Sequence, residues 1–93
     1  MVIPKKFQIF GQTYKVKQVV KIDKEGSWGE HDASKNTIKI KKSLTQEQKE
    51  QVYLHELMHC MFESLGYDAL DRDEILVDTM AKALHQILIT SEK

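Results

Sequence analysis

The chain has 93 residues and no net formal charge, with 41% hydrophobic and 30% charged residues. This composition excludes a disordered or collagen-like chain and allows a single domain, residues 1–93, with one modest core. The single cysteine, Cys60, excludes an intramolecular disulfide, and no apolar run reaches the ~20 residues that span a bilayer. Residues 1–10 lack a signal-peptide pattern, so we expect a cytoplasmic domain without membrane contact.

Residues 6–42 alternate apolar and polar side chains, as half-buried β-strands do. Around a turn at Gly11-Gln12 the pattern predicts a first hairpin. A second hairpin is predicted from Trp28 to Asp32 and from Thr37 to Lys42, joined by a turn-like segment. These segments predict a small antiparallel sheet of three or four strands.

The apolar period then becomes helical. Thr45 and Gln48 fit a capping box, with Ser43 and Gln46 as a competing pair, and a glycine follows the last periodic residue. These signals predict a helix over residues 45–65.

A second helix is predicted over residues 72–90. The connection from Gly66 to Asp73 is long enough for the chain to reverse, so the two helices can pack side by side in antiparallel orientation. The predicted fold class is therefore α+β, a small antiparallel sheet followed by two packed helices.

The first of these helices contains His55-Glu56-Leu57-Met58-His59, an H-E-x-x-H sequence. Two histidines four positions apart lie one above the other on a helix, about 6 Å apart along its axis. Both imidazoles can therefore reach one metal ion, and Glu56 can act on a water beside it. Two surface histidines on an ordinary helix are the alternative interpretation.

A zinc site needs a third protein ligand, and Glu74 near the start of the second helix is our prediction. Asp78, one turn further on, is placed to accept a hydrogen bond from a ligand histidine and fix its tautomer. Asp78, Asp73 and Asp71 remain alternatives for the ligand itself. Asp71 with Glu74 also fits a capping box, which would explain both acids without a metal.

His55-Glu56-x-x-His59 followed by Glu74-x-x-x-Asp78 resembles the gluzincin pattern of zinc metallopeptidases. The size and predicted order of elements are similar to the minigluzincins and to short phage and prophage H-E-x-x-H proteins related to the ImmA/IrrE group. The resemblance covers about residues 27–88 and implies one zinc ion held by the two histidines and Glu74.

The resemblance implies a hydrolase that cleaves peptide bonds with a zinc-activated water and Glu56 as general base. It also implies an edge strand beside the motif helix, Thr37 to Lys42 here, that pairs with an extended peptide. The family's additional Tyr or His for the tetrahedral intermediate is not identified by spacing, and the chain is too short for a second subdomain. A catalytically silent, zinc-stabilised module that binds a protein partner is therefore the alternative function. Manganese and iron remain alternatives for the metal.

The neutral total charge hides an uneven distribution. Residues 1–42 have a net charge of +6, and residues 43–93 have a net charge of −6. A basic half is typical of nucleic-acid-binding surfaces, but few aromatic residues interleave with the lysines, so a solvated sheet face is the favoured interpretation. Four lysines would share that face: Lys15, Lys17, Lys39 and Lys41.

Overall fold

The computed structural model describes residues 1–92 and confirms the α+β fold, a four-stranded sheet followed by packed helices. In chain order the elements are β1 (Lys6–Ile9), β2 (Gln12–Val19), β3 (Gly29–Asp32), β4 (Thr37–Lys41), α1 (Gln46–Leu65), α2 (Asp68–Asp71) and α3 (Glu74–Thr90). A single turn of 3-10 helix joins β3 to β4. Within residues 1–92, no helix is both long enough and apolar enough to cross a membrane.

The first hairpin turns one residue earlier than predicted. Phe10 and Gly11 form its two-residue loop, with φ angles of 49° and 81°. Two successive positive φ values match the right-handed twist of the flanking strands, and a glycine at the second position makes that conformation accessible. The turn sets Phe7 opposite Tyr14, and their rings stack at a centroid distance of 5.2 Å.

The sheet is mixed, with strand order β1-β2-β4-β3, so the prediction of an entirely antiparallel sheet is wrong for one pair. β2 and β4 are parallel neighbours, with Val16 beside Ile38. After β2 the chain continues through residues 20–28 and forms β3 at the outer edge of the sheet. It then returns as β4, which lies between β2 and β3. Alternation of apolar residues fixes which face of a strand is buried but carries no information about its neighbours.

The same topology corrects the predicted edge strand. Thr37 to Lys42 contains β4, which is hydrogen-bonded to β2 on one side and to β3 on the other. Its backbone groups are therefore already paired, and it cannot accept a further strand. The strand at the edge beside α1 is β3.

Helix α1 covers one face of the sheet, and α3 packs beside α1 in antiparallel orientation. The most deeply buried side chains come from the sheet, α1 and α3: Ile38, Ile40, Leu54, Cys60 and Val77. At the end of the helix pair away from the H-E-x-x-H sequence, His85 Nε2 donates to the Glu50 carboxylate at 2.8 Å, and both side chains are buried. This pair joins the start of α1 to the end of α3.

Gly29 allows α1 to approach β3 closely. A Cβ atom at this position would overlap the side chain of Val52 and would lie 3.0 Å from the backbone oxygen of Lys39. A glycine here brings the edge strand against the helix that carries His55 and His59, which sets the separation between the two.

Candidate metal centre

Helix α1 holds the two motif histidines on one face. Its N-terminus is fixed by the predicted capping box, in which Thr45 Oγ1 accepts from the Gln48 backbone and Gln48 Oε1 accepts from the Thr45 backbone. The rings of His55 and His59 lie with their centroids 5.1 Å apart. Both side chains are largely shielded from solvent, with 26% and 15% exposed.

Helix α3 brings Glu74 to these histidines from its first turn. Glu74 Oε2 lies 3.3 Å from His55 Nε2, and Glu74 Oε1 lies 3.1 Å from His59 Nε2. One donor atom from each of the three residues lies within 4.8 Å of the others. Among residues 1–92, these three side chains form a group that can hold a metal ion.

Glu74 is close enough to both histidine nitrogens for one metal ion to lie among the three side chains. Zinc–nitrogen and zinc–oxygen bonds of about 2.0–2.1 Å require ligand atoms about 3.3 Å apart along the edges of a tetrahedron. The two nitrogen–oxygen distances are close to that edge, although each is measured to a different oxygen of Glu74. Two imidazoles and one carboxylate also form a ligand set typical of zinc enzymes, with one coordination position left open.

Asp71 orients His59, a role that sequence reasoning did not assign to it. Asp71 Oδ1 lies 2.8 Å from His59 Nδ1. A carboxylate only accepts hydrogen bonds, so Nδ1 donates to Asp71, and this contact turns Nε2 towards Glu74, where it would be the metal-binding nitrogen. The alternative interpretation of Asp71 as the N-cap is wrong, because Asp73 is the N-cap of α3 and accepts from the Leu76 backbone at 3.0 Å.

Asp78 lies beside the other motif histidine but is not hydrogen-bonded to it. Asp78 Oδ1 is 3.6 Å from His55 Nδ1, whereas Asp78 Oδ2 is 2.8 Å from Lys82 Nζ. The hydrogen bond from Lys82 lowers the pKa of the Asp78 carboxyl below its ordinary value. The predicted orienting residue is therefore near its target, but its main partner is a lysine.

Glu56 lies one position from His55 on α1 and is half-buried. Burial raises the pKa of its carboxyl above the ordinary value of 4.5, although the neighbouring histidines His55 and His59 act in the opposite direction. A raised pKa makes its carboxylate a stronger base than an exposed glutamate.

A groove opens beside Glu56 and His55, with a volume of about 420 Å³. Its lining residues come from the start of the edge strand and from both long helices: Trp28, Gln51, Val52, His55, Glu56, Asp78 and Lys82. A second cavity of about 470 Å³ lies under the loop after β2 and has no histidine in its lining. Only the first of these two cavities therefore adjoins the candidate metal centre.

The remaining histidines and two of the tyrosines lie in different surroundings. His85 is buried against Glu50, and Tyr53 is buried in the core. His31 on β3 has its Nδ1 3.6 Å from Glu63 Oε2, and Tyr67 is exposed after the end of α1.

Comparison of the chain with protein-family models, with curated proteins and with solved structures finds no match. The inference of function therefore rests on the geometry of these side chains.

Proposed function

We propose that this chain is a small zinc-dependent metallopeptidase of the gluzincin type. The observation that carries the proposal is the convergence of His55, His59 and Glu74, with the tautomer of His59 set by Asp71. Two unrelated surface histidines would not require Asp71 at Nδ1 of one ring and Glu74 beside the Nε2 atoms of both rings.

His55 and His59 would bind zinc as neutral imidazoles through Nε2, and Glu74 would bind through its carboxylate. Zinc bound there would supply the Lewis acid that polarises a peptide carbonyl and lowers the pKa of water towards about 7. Glu56 accepts the proton of the attacking water and passes it to the leaving amine, a role supported by its burial and its position beside the groove.

The substrate would be an extended peptide that pairs with β3. Within residues 1–92 this strand has β4 on one side and no strand on the other, so its free edge can add a peptide through main-chain hydrogen bonds. Trp28 directly precedes β3 and lines the groove with His55 and Glu56, which connects this edge to the proposed reaction centre. This assignment replaces the pairing with Thr37 to Lys42 expected from sequence.

The test separates metal binding from chemistry. Glu56→Gln should retain stoichiometric zinc, measured by elemental analysis, and lose about 10²–10⁴-fold in the rate of cleavage of an unstructured peptide mixture. Glu74→Ala should lose zinc and thermal stability together, because it removes a ligand that ties α3 to α1. Glu47→Gln, an exposed position at the start of the same helix as Glu56, is the matched control and should change neither the zinc content nor the rate of cleavage.

A wild-type protein without bound zinc would refute the proposal. Cleavage that survives Glu56→Gln would show that a contaminating protease is responsible. Bound zinc without cleavage would identify the zinc-stabilised binding module instead of the enzyme.

A further inference from the structure

The face of the sheet opposite α1 is lined with lysines from three adjacent strands. Tyr14, Val16, Ile38 and Ile40 point towards the helices and are buried, so the residues that alternate with them point to the other side. We call this surface the basic sheet face, and its lysines are Lys6, Lys15, Lys17, Lys39 and Lys41, with Glu30 of β3 on the same side opposite Lys39.

The strand register brings like charges together on this face. Lys6 is directly opposite Lys15, and Lys17 is directly beside Lys39. Like charges at such positions destabilise a sheet. Of the five lysines, only Lys39 forms an ion pair within the described chain, with Glu30 at 3.6 Å. The arrangement is thus costly in the isolated protein and becomes favourable when an anion covers it.

The spacing of these charges suits a chain of anions. Lysines two positions apart on β2 and on β4 are separated by about 6.6–6.8 Å, and neighbouring strands by about 4.7–4.9 Å. The face therefore presents a regular array of point charges on a twisted surface. A flexible polyanion can follow such an array, whereas a rigid duplex cannot adjust the positions of its phosphates to it.

An exposed aromatic ring lies at one end of the sheet. Phe10, at the tip of the β1–β2 hairpin, is 76% exposed. It is held there by a positive φ of 49°. Sequence alone disfavours a stacking surface because few aromatics interleave with the lysines, but the hairpin places this ring at the end of the two strands that carry Lys6 and Lys15. Stacking of bases on aromatic rings beside basic surfaces is the usual mode of binding single strands.

We propose that the basic sheet face and Phe10 bind single-stranded nucleic acid through its phosphate backbone, independently of base sequence. The lysines bind phosphates as point charges, and Phe10 stacks on one base. The acidic half of the chain, with its net charge of −6, lies mainly in the helices on the other side of the sheet. A nucleic acid would therefore bind away from the candidate metal centre, and Glu56→Gln should not affect it.

The experiment measures fluorescence anisotropy of a labelled oligothymidylate with the full chain between about 50 and 200 mM salt. Five phosphate contacts predict a slope of about −3.5 in log affinity against log salt, at about −0.7 for each contact on a single strand. The double variant Lys17→Gln/Lys41→Gln should reduce this slope by about 1.4. Phe10→Ser should weaken binding about fivefold or more with the slope unchanged.

Two controls distinguish this site from general charge effects and from misfolding. Lys49→Gln removes one lysine charge on α1, outside the basic sheet face, as Lys15→Gln does within it, and should leave the slope unchanged. Lys15→Gln should weaken binding while its melting temperature stays equal to or above that of the wild type, because it relieves repulsion from Lys6.

Absence of salt-dependent binding to the oligothymidylate would overturn the proposal, as would an equal effect of Lys49→Gln. Tighter binding to a duplex of the same length would overturn the assignment to single strands. Salt-dependent self-association without nucleic acid, abolished by Lys17→Gln/Lys41→Gln, would show that the acidic half of a second copy occupies this face instead.

Discussion

Replacing Asp71 by Asn tests the geometry of the candidate centre most directly. The change preserves size but replaces the carboxylate that accepts from His59 Nδ1 at 2.8 Å. An amide holds the ring less firmly and accepts a weaker hydrogen bond than a carboxylate does. Loss of such a partner behind a metal-bound histidine typically reduces metal affinity about 10–100-fold.

The expected loss of stability can be calculated from this loss of zinc affinity. A 10–100-fold loss of affinity corresponds to about 1.4–2.7 kcal/mol, and at saturating zinc the stabilisation of the native state falls by the same amount. For a domain of this size, each kcal/mol lowers the melting temperature by about 4–8 °C. Asp71→Asn should therefore lower the melting temperature of the zinc-loaded protein by about 6–20 °C and leave that of the chelator-treated protein nearly unchanged.

Asp78→Asn is the matched control, because its carboxylate is 3.6 Å from His55 Nδ1 and is hydrogen-bonded to Lys82 instead. Zinc affinity is measured by competition with a chromophoric chelator at constant pH for both variants. The sequence alone assigns the larger loss to Asp78→Asn, whereas the structure assigns it to Asp71→Asn. A larger loss in Asp78→Asn would refute the role given to Asp71.

Two further predictions concern the scaffold. Gly29→Ala should destabilise the domain by about 1–3 kcal/mol in urea unfolding, because the new methyl group overlaps Val52. Adding Val52→Ala to this variant should recover part of the lost stability. An unchanged unfolding midpoint for Gly29→Ala alone would show that α1 does not pack closely on β3. The hydrogen bond from His85 lowers the pKa of the buried Glu50 carboxyl below its ordinary value of 4.5, so the unfolded chain binds more protons than the native state in acid. The stability that Glu50 contributes is complete above the ordinary pKa and declines as the pH falls through the lowered one. The free energy of unfolding should therefore fall more steeply with acidification below pH 4.5 in the wild type than in Glu50→Gln, and equal slopes would contradict this account.

The sequence predicts most reliably what depends on neighbours along the chain. Helix α1 begins after Thr45 and ends before Gly66 because a capping box and a left-handed glycine are local devices, readable from residue types a few positions apart. The four-residue spacing of His55 and His59 is local in the same sense.

What sequence reasoning missed depends on long-range geometry. By sequence Asp71 is the better capping candidate, because Glu74 follows it by three positions, and only the short helix α2 shows that Asp73 is the cap instead. This helix turns Asp71 towards His59 and leaves Asp73 to cap α3. The sequence signal for this second role is that Asp71 lies two positions before Asp73, so one of the two acids is not needed for capping.

The parallel pairing of β2 with β4 has a consequence for the order in which the chain folds. The β1–β2 and β3–β4 hairpins close short loops and can form early, but joining them requires the central pair, whose partners lie far apart in sequence. We expect the docking of one hairpin onto the other to be the late and slow event. Until it occurs, Ile38 and Ile40 are exposed on a strand with one unpaired side, which makes the half-assembled sheet the species most prone to aggregate during expression.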